Sequence, residues 1–200
     1  VSLVDALILS TVQAGGDGEG GNVIINTNNL QFSNEASIVA FTDGQGDAGD
    51  VTINASNIKF TANSIINNGV NNEGVGKGGE INIKTDSLAL LGGSQINSFL
   101  YGQKRDNQGK VIYPGGNGNA GNVKITANTV EMSGMDENGF SSAILTISER
   151  GSSGFAGDIS IKADNLQIAD GAVIAATTFN ASDSGDIFIN TKNFEAINGG

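Results

Sequence analysis

Short runs of alternating apolar and polar residues recur along this chain, and each run follows a glycine. The run AGDVTINASNIKF at 48–60 returns as AGNVKITANTVEM at 120–132 and as AGDISIKADNLQI at 156–168. Alternation of Val and Ile at period two predicts a β-strand after each of these anchor glycines. The anchors are Gly21, Gly49, Gly79, Gly121, Gly157 and Gly185, at intervals of 28, 30, 42, 36 and 28 residues.

Each repeat carries three sets of apolar positions, which predicts three short strands per repeat. The first pair is Val23 and Ile25, Val51 and Ile53, Ile81 and Ile83, Val123 and Ile125, Ile159 and Ile161, and Ile187 and Ile189. The second pair is Leu30 and Phe32, Ile58 and Phe60, Leu88 and Leu90, Val130 and Met132, Leu166 and Ile168, and Phe194 and Ala196. The third site is an isoleucine each time: Ile38, Ile65, Ile96, Ile144 and Ile174, with Ile8 matching it near the start.

Stacking of these repeats is the arrangement that buries all three apolar sets at once. Equivalent strands would lie about 4.8 Å apart in parallel sheets, and parallel crossovers are almost always right-handed. The sequence therefore predicts an all-β fold, a right-handed parallel β-helix (solenoid) of about six coils of 28–42 residues. On this register the chain begins and ends in mid-coil, so we expect residues 1–200 to be a single segment of a longer solenoid.

An asparagine precedes the second apolar pair in four repeats. These residues are Asn29, Asn57, Asn165 and Asn193, and Ser87 and Thr129 stand at the same place in the other two repeats. Asparagine tolerates left-handed backbone conformations, and stacked amides can bond one another. We predict a structural turn ladder at these positions, with a ligand-binding row as the alternative.

Composition and charge exclude several function classes. The chain has 30 Gly, one Pro, no His and no Cys, and its net charge is −11. Ser-His-Asp and Cys-His catalysis, disulfides and Cys-ligated metal sites are therefore excluded. The negative charge repels nucleic acid and anionic membrane surfaces. The apolar start, VSLVDALILSTV, is shorter than the roughly 18 residues of a membrane span, so we expect neither a nucleic-acid partner nor a membrane-spanning segment.

The repeated phrase of Ala-Gly, Asn or Asp, VxI or IxI, and then LxI or LxF also suggests a family. Its clearest later part is ADNLQIADGAVIAATT at 163–178. It resembles the filamentous-haemagglutinin-like exoproteins of two-partner secretion, and large cyanobacterial members are especially similar. The resemblance extends over essentially the whole chain. It implies export through an outer-membrane secretion β-barrel, folding on the extracellular side of a Gram-negative-type outer membrane, and a role as a secreted cell-surface adhesin or filament.

Cell-surface glycans or proteins are then candidate partners, and end-to-end or lateral self-association is open. A polysaccharide-binding or polysaccharide-degrading β-helix enzyme of the lyase or hydrolase type is the alternative. Such an enzyme needs clustered carboxylates, or a basic residue that is commonly accompanied by calcium, on one sheet face. The outward positions of the first strands are Ile24, Thr52, Asn82, Lys124, Ser160 and Phe188, which contain no repeated acid–base pair. We therefore expect no enzyme active site.

Acidic residues gather on one edge of the predicted solenoid. Those in the loops before the first strand are Asp17, Glu19, Asp43, Asp47, Glu73, Asp106, Glu149 and Asp183, and those at its start are Asp50, Glu80, Asp158 and Asp186, together 12 of the 21 acids. Carboxylates are ligands that calcium prefers. Because they show no repeated ligand spacing, we expect a solvated edge and no cofactor, with calcium as the alternative.

One insertion at 99–118 breaks the repeat and lengthens its coil to 42 residues. Insertions on one face of a solenoid often carry binding specificity. Aromatic and cationic side chains together can bind glycan rings or acidic partners. The candidate ligand-binding residues are Tyr101, Lys104, Arg105, Lys110 and Tyr113, and a tolerated surface loop is the alternative.

Overall fold

The computed structural model describes all 200 residues, and its secondary structure is sixteen strands without a helix. The predicted all-β class is confirmed. The strands are β1 (Ser2–Val4), β2 (Leu7–Val12), β3 (Val23–Ser33), β4 (Ser37–Thr42), β5 (Val51–Phe60), β6 (Ile65–Val70), β7 (Ile81–Leu91), β8 (Gln95–Leu100), β9 (Lys104–Arg105), β10 (Val111–Tyr113), β11 (Val123–Thr126), β12 (Thr129–Ser133), β13 (Ala143–Ser148), β14 (Ile159–Ala169), β15 (Val173–Thr178) and β16 (Ile187–Ile197).

Fourteen of these strands form two parallel sheets. The long-strand sheet runs β1, β3, β5, β7, then β11 and β12, which lie end to end and each pair with both β7 and β14, then β14 and β16. The short-strand sheet runs β2, β4, β6, β8, β13 and β15. Each strand pairs with the equivalent strand of the next repeat, which is consistent with a parallel β-helix. Its right-handedness stays a prediction.

The prediction of three separate strands per coil is wrong for most repeats. The first and second apolar pairs lie on one continuous strand in β3, β5, β7, β14 and β16, and only the fourth repeat divides them between β11 and β12. At the corner one residue leaves the pairing: Thr27 pairs with Ala55 and Asn29 pairs with Asn57, but Asn28 has no partner. Because the ladder resumes at once, the bend does not end the strand.

The third side of the coil is a ladder of single bridges that the apolar pattern did not predict. It joins one residue from each of five successive repeats by parallel bridges: Asp17, Gln45, Val75, Asn117 and Ser153. These residues stand in the Gly-rich turns, where side chains give no alternating signal. The sequence therefore could not mark this side as extended.

Most of the interior is one cluster of 28 buried residues, built mainly from the predicted apolar columns, and Val70, Leu100 and Ala120 form a second, smaller cluster. Phe32 and Phe60 stack in adjacent coils with ring centroids 4.1 Å apart and planes 6° from parallel. Each fully buried side chain of this size contributes about 1.5–3 kcal/mol relative to exposure. That contribution requires a neighbouring coil, since a single coil leaves its inward residues open at both sides.

The third apolar column requires one correction. The structure pairs Ile38 with Ile66 and Ile66 with Ile96, and Ile66 is fully buried. The predicted Ile65 points the other way and is only half-buried. Both residues are isoleucines, and the period of two makes a one-residue error reverse the face.

Two columns of glycine residues allow adjacent coils to approach closely. A Cβ atom on Gly49, Gly79, Gly121, Gly157 or Gly185 would collide with the carbonyl oxygen of the anchor glycine one coil earlier. A second column, three residues before the anchors, has the same constraint at Gly46, Gly76, Gly118 and Gly154, which also have positive φ. The backbone of one coil therefore rests directly on the backbone of the next, where only glycine fits.

Candidate binding hairpin and acidic edge

The insertion is narrower in the structure than the predicted range 99–118. Phe99 and Leu100 belong to β8, and Leu100 is fully buried. The Gly116 N–H donates to the Tyr101 carbonyl at 2.8 Å and closes the excursion. Asn117 already belongs to the third ladder. Residues 102–115 therefore form the whole excursion, and its two ends are bonded to each other.

The tip of the excursion is an antiparallel hairpin formed by β9 and β10. Val111 pairs with Arg105, and Tyr113 pairs with Lys104. The Asp106 carboxylate accepts hydrogen bonds from the N–H groups of Gln108 and Lys110, each at 2.9 Å. Asparagine and aspartate commonly stabilise turns in this way. Asp106, which the sequence placed on the acidic edge, instead organises this turn.

Four of the five predicted ligand-binding residues lie together on this hairpin. Lys104, Arg105, Lys110 and Tyr113 are all exposed, and 48% of the Tyr113 surface is accessible. The Arg105 guanidinium donates to the Gly109 carbonyl at 2.6 Å. Arg105 thus helps hold the turn, whereas the side chains of the two lysines and Tyr113 remain accessible to a ligand.

Tyr101, the fifth predicted residue, lies apart from them and packs back on the short-strand sheet. Its ring contacts Phe41 edge-on at 5.5 Å and stacks with Phe99 at 5.2 Å. In the sheet register Gly69 pairs with Phe41 on one side and Phe99 on the other, so it leaves a gap between two aromatic side chains. Tyr101 covers this gap, and Phe41 is only 7% exposed although it points away from the core.

The Tyr101 hydroxyl is part of this packing. It accepts a hydrogen bond from the Asn67 amide at 3.3 Å. Burial raises the pKa of Tyr101 above its ordinary value of 10.0; the Asn67 bond opposes this shift, and the negative charge of Glu149 adds to it. Tyr101 is therefore a structural residue here. A glycine in an outward column between two aromatics was the signal that sequence reasoning missed.

A cleft of ≈ 310 Å³ separates the hairpin from the solenoid. Lys104 and Tyr113 line one side of it, and Asp43 and Glu73 line the other with polar neighbours. The Glu73 N–H donates to the Pro114 carbonyl at 3.1 Å, which ties the hairpin to the third repeat. The cleft therefore has cationic and aromatic groups of the hairpin on one side and acidic groups of the solenoid on the other.

The acidic edge forms hydrogen bonds between coils. The Asp50 carboxylate accepts from the Glu80 N–H at 2.7 Å, and the Asp158 carboxylate accepts from the Asp186 N–H at 2.8 Å. The neutral Asn122 side chain has the same role, since its amide oxygen accepts from the Asp158 N–H at 2.8 Å. A second row, three residues earlier, includes Asp47 accepting from Lys77 at 2.7 Å. These side chains satisfy backbone donors at a bend.

No group of three or more acidic side chains in the structure is arranged to hold a metal ion. Within each row the carboxylates stand one per coil, so neighbours in a row belong to different coils. Glu149 does not belong to these rows; its carboxylate accepts from the Gly102 N–H at 2.9 Å, at the base of the excursion. The arrangement supports a backbone-capping role for the edge.

The predicted asparagine positions form two amide pairs. Asn57 donates to Asn29 at 3.0 Å, and Asn193 donates to Asn165 at 2.8 Å. Ser87 and Thr129 separate the two pairs along the stack. None of the four has a positive φ, and all lie within long strands, so the expectation of a turn there is wrong.

Left-handed backbone recurs instead at the corner that follows each coil's part of the long-strand sheet. The residues with this backbone are Asp5, Asn34, Glu35, Ala62, Asn63, Gly92, Gly93, Gly134, Asp170, Gly171, Asn198 and Gly199. The residue types at this corner vary from coil to coil, so no repeated residue marks it in the sequence.

Comparison with known proteins assigns no family. No family model matches the chain, and neither a curated protein nor a solved structure matches it. The structure has no helix that is long and apolar enough to span a membrane. The resemblance to filamentous-haemagglutinin-like exoproteins stays a prediction that rests on the repeated residues.

Proposed function

We propose that this chain is a structural and adhesive segment of a secreted, filamentous cell-surface protein. In this proposal the stacked coils provide length and stiffness, and the hairpin at 102–115 provides contact with glycans or proteins on another surface. Export through an outer-membrane partner and an extracellular location rest on the sequence resemblance. The absence of cysteine suits a chain that crosses a membrane unfolded, because no disulfide can form early.

The observation that carries the proposal is the in-register stacking of equivalent residues over successive repeats. Val23, Val51, Ile81, Val123 and Ile159 follow one another in a single column. Each coil contacts only its neighbours, so adding repeats extends such a protein without changing its cross-section. A uniform cross-section is what a surface filament needs, whereas an enzyme needs one distinct cleft.

The hairpin is the part of the chain that departs from this uniformity. It lies outside the column of buried residues, and its ends are bonded together through Tyr101 and Gly116. Lys104, Lys110 and Tyr113 combine positive charge with an exposed aromatic ring. Tyrosine contributes a large, rigid contact area with a polar end, which is favourable at binding surfaces.

Excision of the hairpin tests the adhesive role. Residues 103–114 are replaced by a short Gly-Ser linker between Gly102 and Gly115, and binding to cells and to a glycan array is measured. We expect the melting temperature to stay close to that of the parent chain, because Leu100 and Asn117 remain in their ladders. Binding should fall to background.

The second excursion offers a matched control. Met135 and Ser141 form an antiparallel bridge around a turn in which Asp136 accepts from the Phe140 N–H at 2.7 Å. Shortening this turn removes a comparable exposed loop without the lysines and tyrosine. Equal binding by the parent chain and the hairpin-deleted chain would reject the adhesive role and leave a purely structural one.

A further inference from the structure

The long-strand sheet has an outer face that carries both signs of charge in separate columns. We call it the mixed-charge face, and it consists of three parallel columns of outward residues. The anchor column is Asn22, Asp50, Glu80, Asn122, Asp158 and Asp186; the middle column is Ile24, Thr52, Asn82, Lys124, Ser160 and Phe188; the lysine column is Asn26, Asn54, Lys84, Thr126, Lys162 and Asn190.

These columns lie on the same side of the sheet. Val51, Ile53, Ile81 and Ile83 alternate with them along the strands and are buried in the core. The Asn82 amide donates to the Glu80 carboxylate at 3.1 Å, so the anchor and middle columns touch each other. The anchor and lysine columns are four residues apart along a strand, about 13 Å at 3.3 Å per residue.

The lysines of this face have no carboxylate partner within the chain. The one ion pair in the structure joins Lys192 and Asp164 at 2.9 Å, outside the three columns. Lys84, Lys124 and Lys162 are exposed on three successive coils. Placing like charges on neighbouring coils is unfavourable unless opposite charge is supplied.

A second copy of the same face supplies that charge. Rotation of a copy by 180° about an axis parallel to the stacking direction reverses the order of the columns and keeps each coil at its own level. Glu80 and Lys84 share one coil, and Asp158 and Lys162 share another. In the rotated pair Glu80 of one copy faces Lys84 of the other, and Asp158 faces Lys162. Each pair occurs twice, as a two-fold interface requires.

We infer that the chain associates laterally with a second copy of itself through the mixed-charge face, with the two solenoids parallel. The middle column meets itself in this arrangement, so its exposed apolar residues, Ile24 at 63% and Phe188 at 56%, each contact their own copy. Lys124 also meets its own copy, with Glu80 and Asp158 of both copies on the adjacent coils. Nucleic acid is a poorer occupant, because its uniformly negative phosphates would meet the anchor-column carboxylates, whereas a second copy presents lysines to them.

This inference is independent of the proposed adhesive role, since the face shares no residue with the hairpin. Sedimentation of the 200-residue chain over a range of concentrations tests it. We expect a dimer at low ionic strength, near 0.02 M, that dissociates near 0.5 M, because the screening length at that concentration falls to about 4 Å.

Charge reversal identifies the face. Lys84→Glu and Glu80→Lys should each weaken dimerisation by about tenfold or more, since each converts two attractive pairs into repulsive ones. An equimolar mixture of the two variants should dimerise again, because the columns of one are acidic and those of the other basic. Lys59→Glu, an exposed site on the other half of β5 with the same change of charge, is the control.

The variant Lys124→Ser distinguishes association through this face from simple charge repulsion between copies. It makes the chain more negative, so simple repulsion between copies predicts weaker association, whereas removal of the central like-charge contact predicts tighter association. Circular dichroism checks that each variant is folded. If the chain stays monomeric at low salt, the inference is wrong. It is also wrong if the chain dimerises but Lys84→Glu and Glu80→Lys leave the dimer unchanged, because association would then use another surface.

Discussion

Gly49 lies directly above Gly21 in the stack, so close that a Cβ atom on Gly49 would collide with the Gly21 carbonyl oxygen. These two residues are the first two anchor glycines of the chain. Neither requires a left-handed backbone, since their φ values are not positive. Glycine is needed here because of the distance between coils and not because of backbone conformation.

Gly49→Ala should therefore destabilise the solenoid by about 3 kcal/mol, since backbone in two coils must move to admit the methyl group. Gly21→Ala is the matched control, because its Cβ would meet only the Ser10 hydroxyl oxygen, at 3.3 Å. Urea denaturation measures both free energies of unfolding. Equal losses in the two variants would contradict the contact.

Ile66→Asp and Ile65→Asp should differ sharply although the residues are adjacent. Ile66 is fully buried in the third apolar column, so a carboxylate there loses hydration and should cost about 3 kcal/mol or more. Ile65 faces outward, and its substitution should cost less than about 1 kcal/mol. Thermal melts followed by circular dichroism compare them; a reversed order would mean that the strand has the opposite register.

Replacement of Tyr101 should show that it covers the short-strand sheet. Tyr101→Phe loses the Asn67 hydrogen bond and should cost about 1 kcal/mol. Tyr101→Ala also uncovers Phe41 and Phe99 and should cost about 2 kcal/mol or more. If both variants were as stable as the parent chain, the ring would not contribute to packing.

The pH dependence of stability gives a second measurement of Tyr101. Burial raises its folded pKa above the unfolded value of 10.0, so the neutral ring contributes its full stability below about pH 10. That contribution is lost as the pH rises through the folded pKa, because the unfolded state ionises first. The stability difference between the parent chain and Tyr101→Phe should therefore shrink above pH 10 in denaturation experiments.

Substitutions at Asp158 separate the capping role of the acidic edge from its charge. Asp158→Asn keeps an oxygen that accepts from the Asp186 N–H, as Asn122 does one coil earlier, and should change stability by less than about 0.5 kcal/mol. Asp158→Ala removes the acceptor and should cost about 1 kcal/mol. A large loss in Asp158→Asn would show that the negative charge itself is required.

The sequence alone was enough to predict the all-β class, the interval between coils and most core residues. Val51, Ile81 and Val123 stand in one column, as their spacing from the anchor glycines indicated. This worked because inward residues must be apolar at period two in every coil, so the same physical requirement is written repeatedly. A requirement that recurs can be read without knowing the coordinates.

Only the tertiary structure decided the features that depend on neighbours across coils. It joined two predicted strands into one, because pairing between coils continues through the corner at Asn28. It separated Tyr101 from Lys104 and Tyr113, because the gap at Gly69 takes up the Tyr101 ring. Each outcome depends on what lies one coil above or below. A linear pattern records that a residue is apolar, aromatic or small, but not which space its neighbours leave for it.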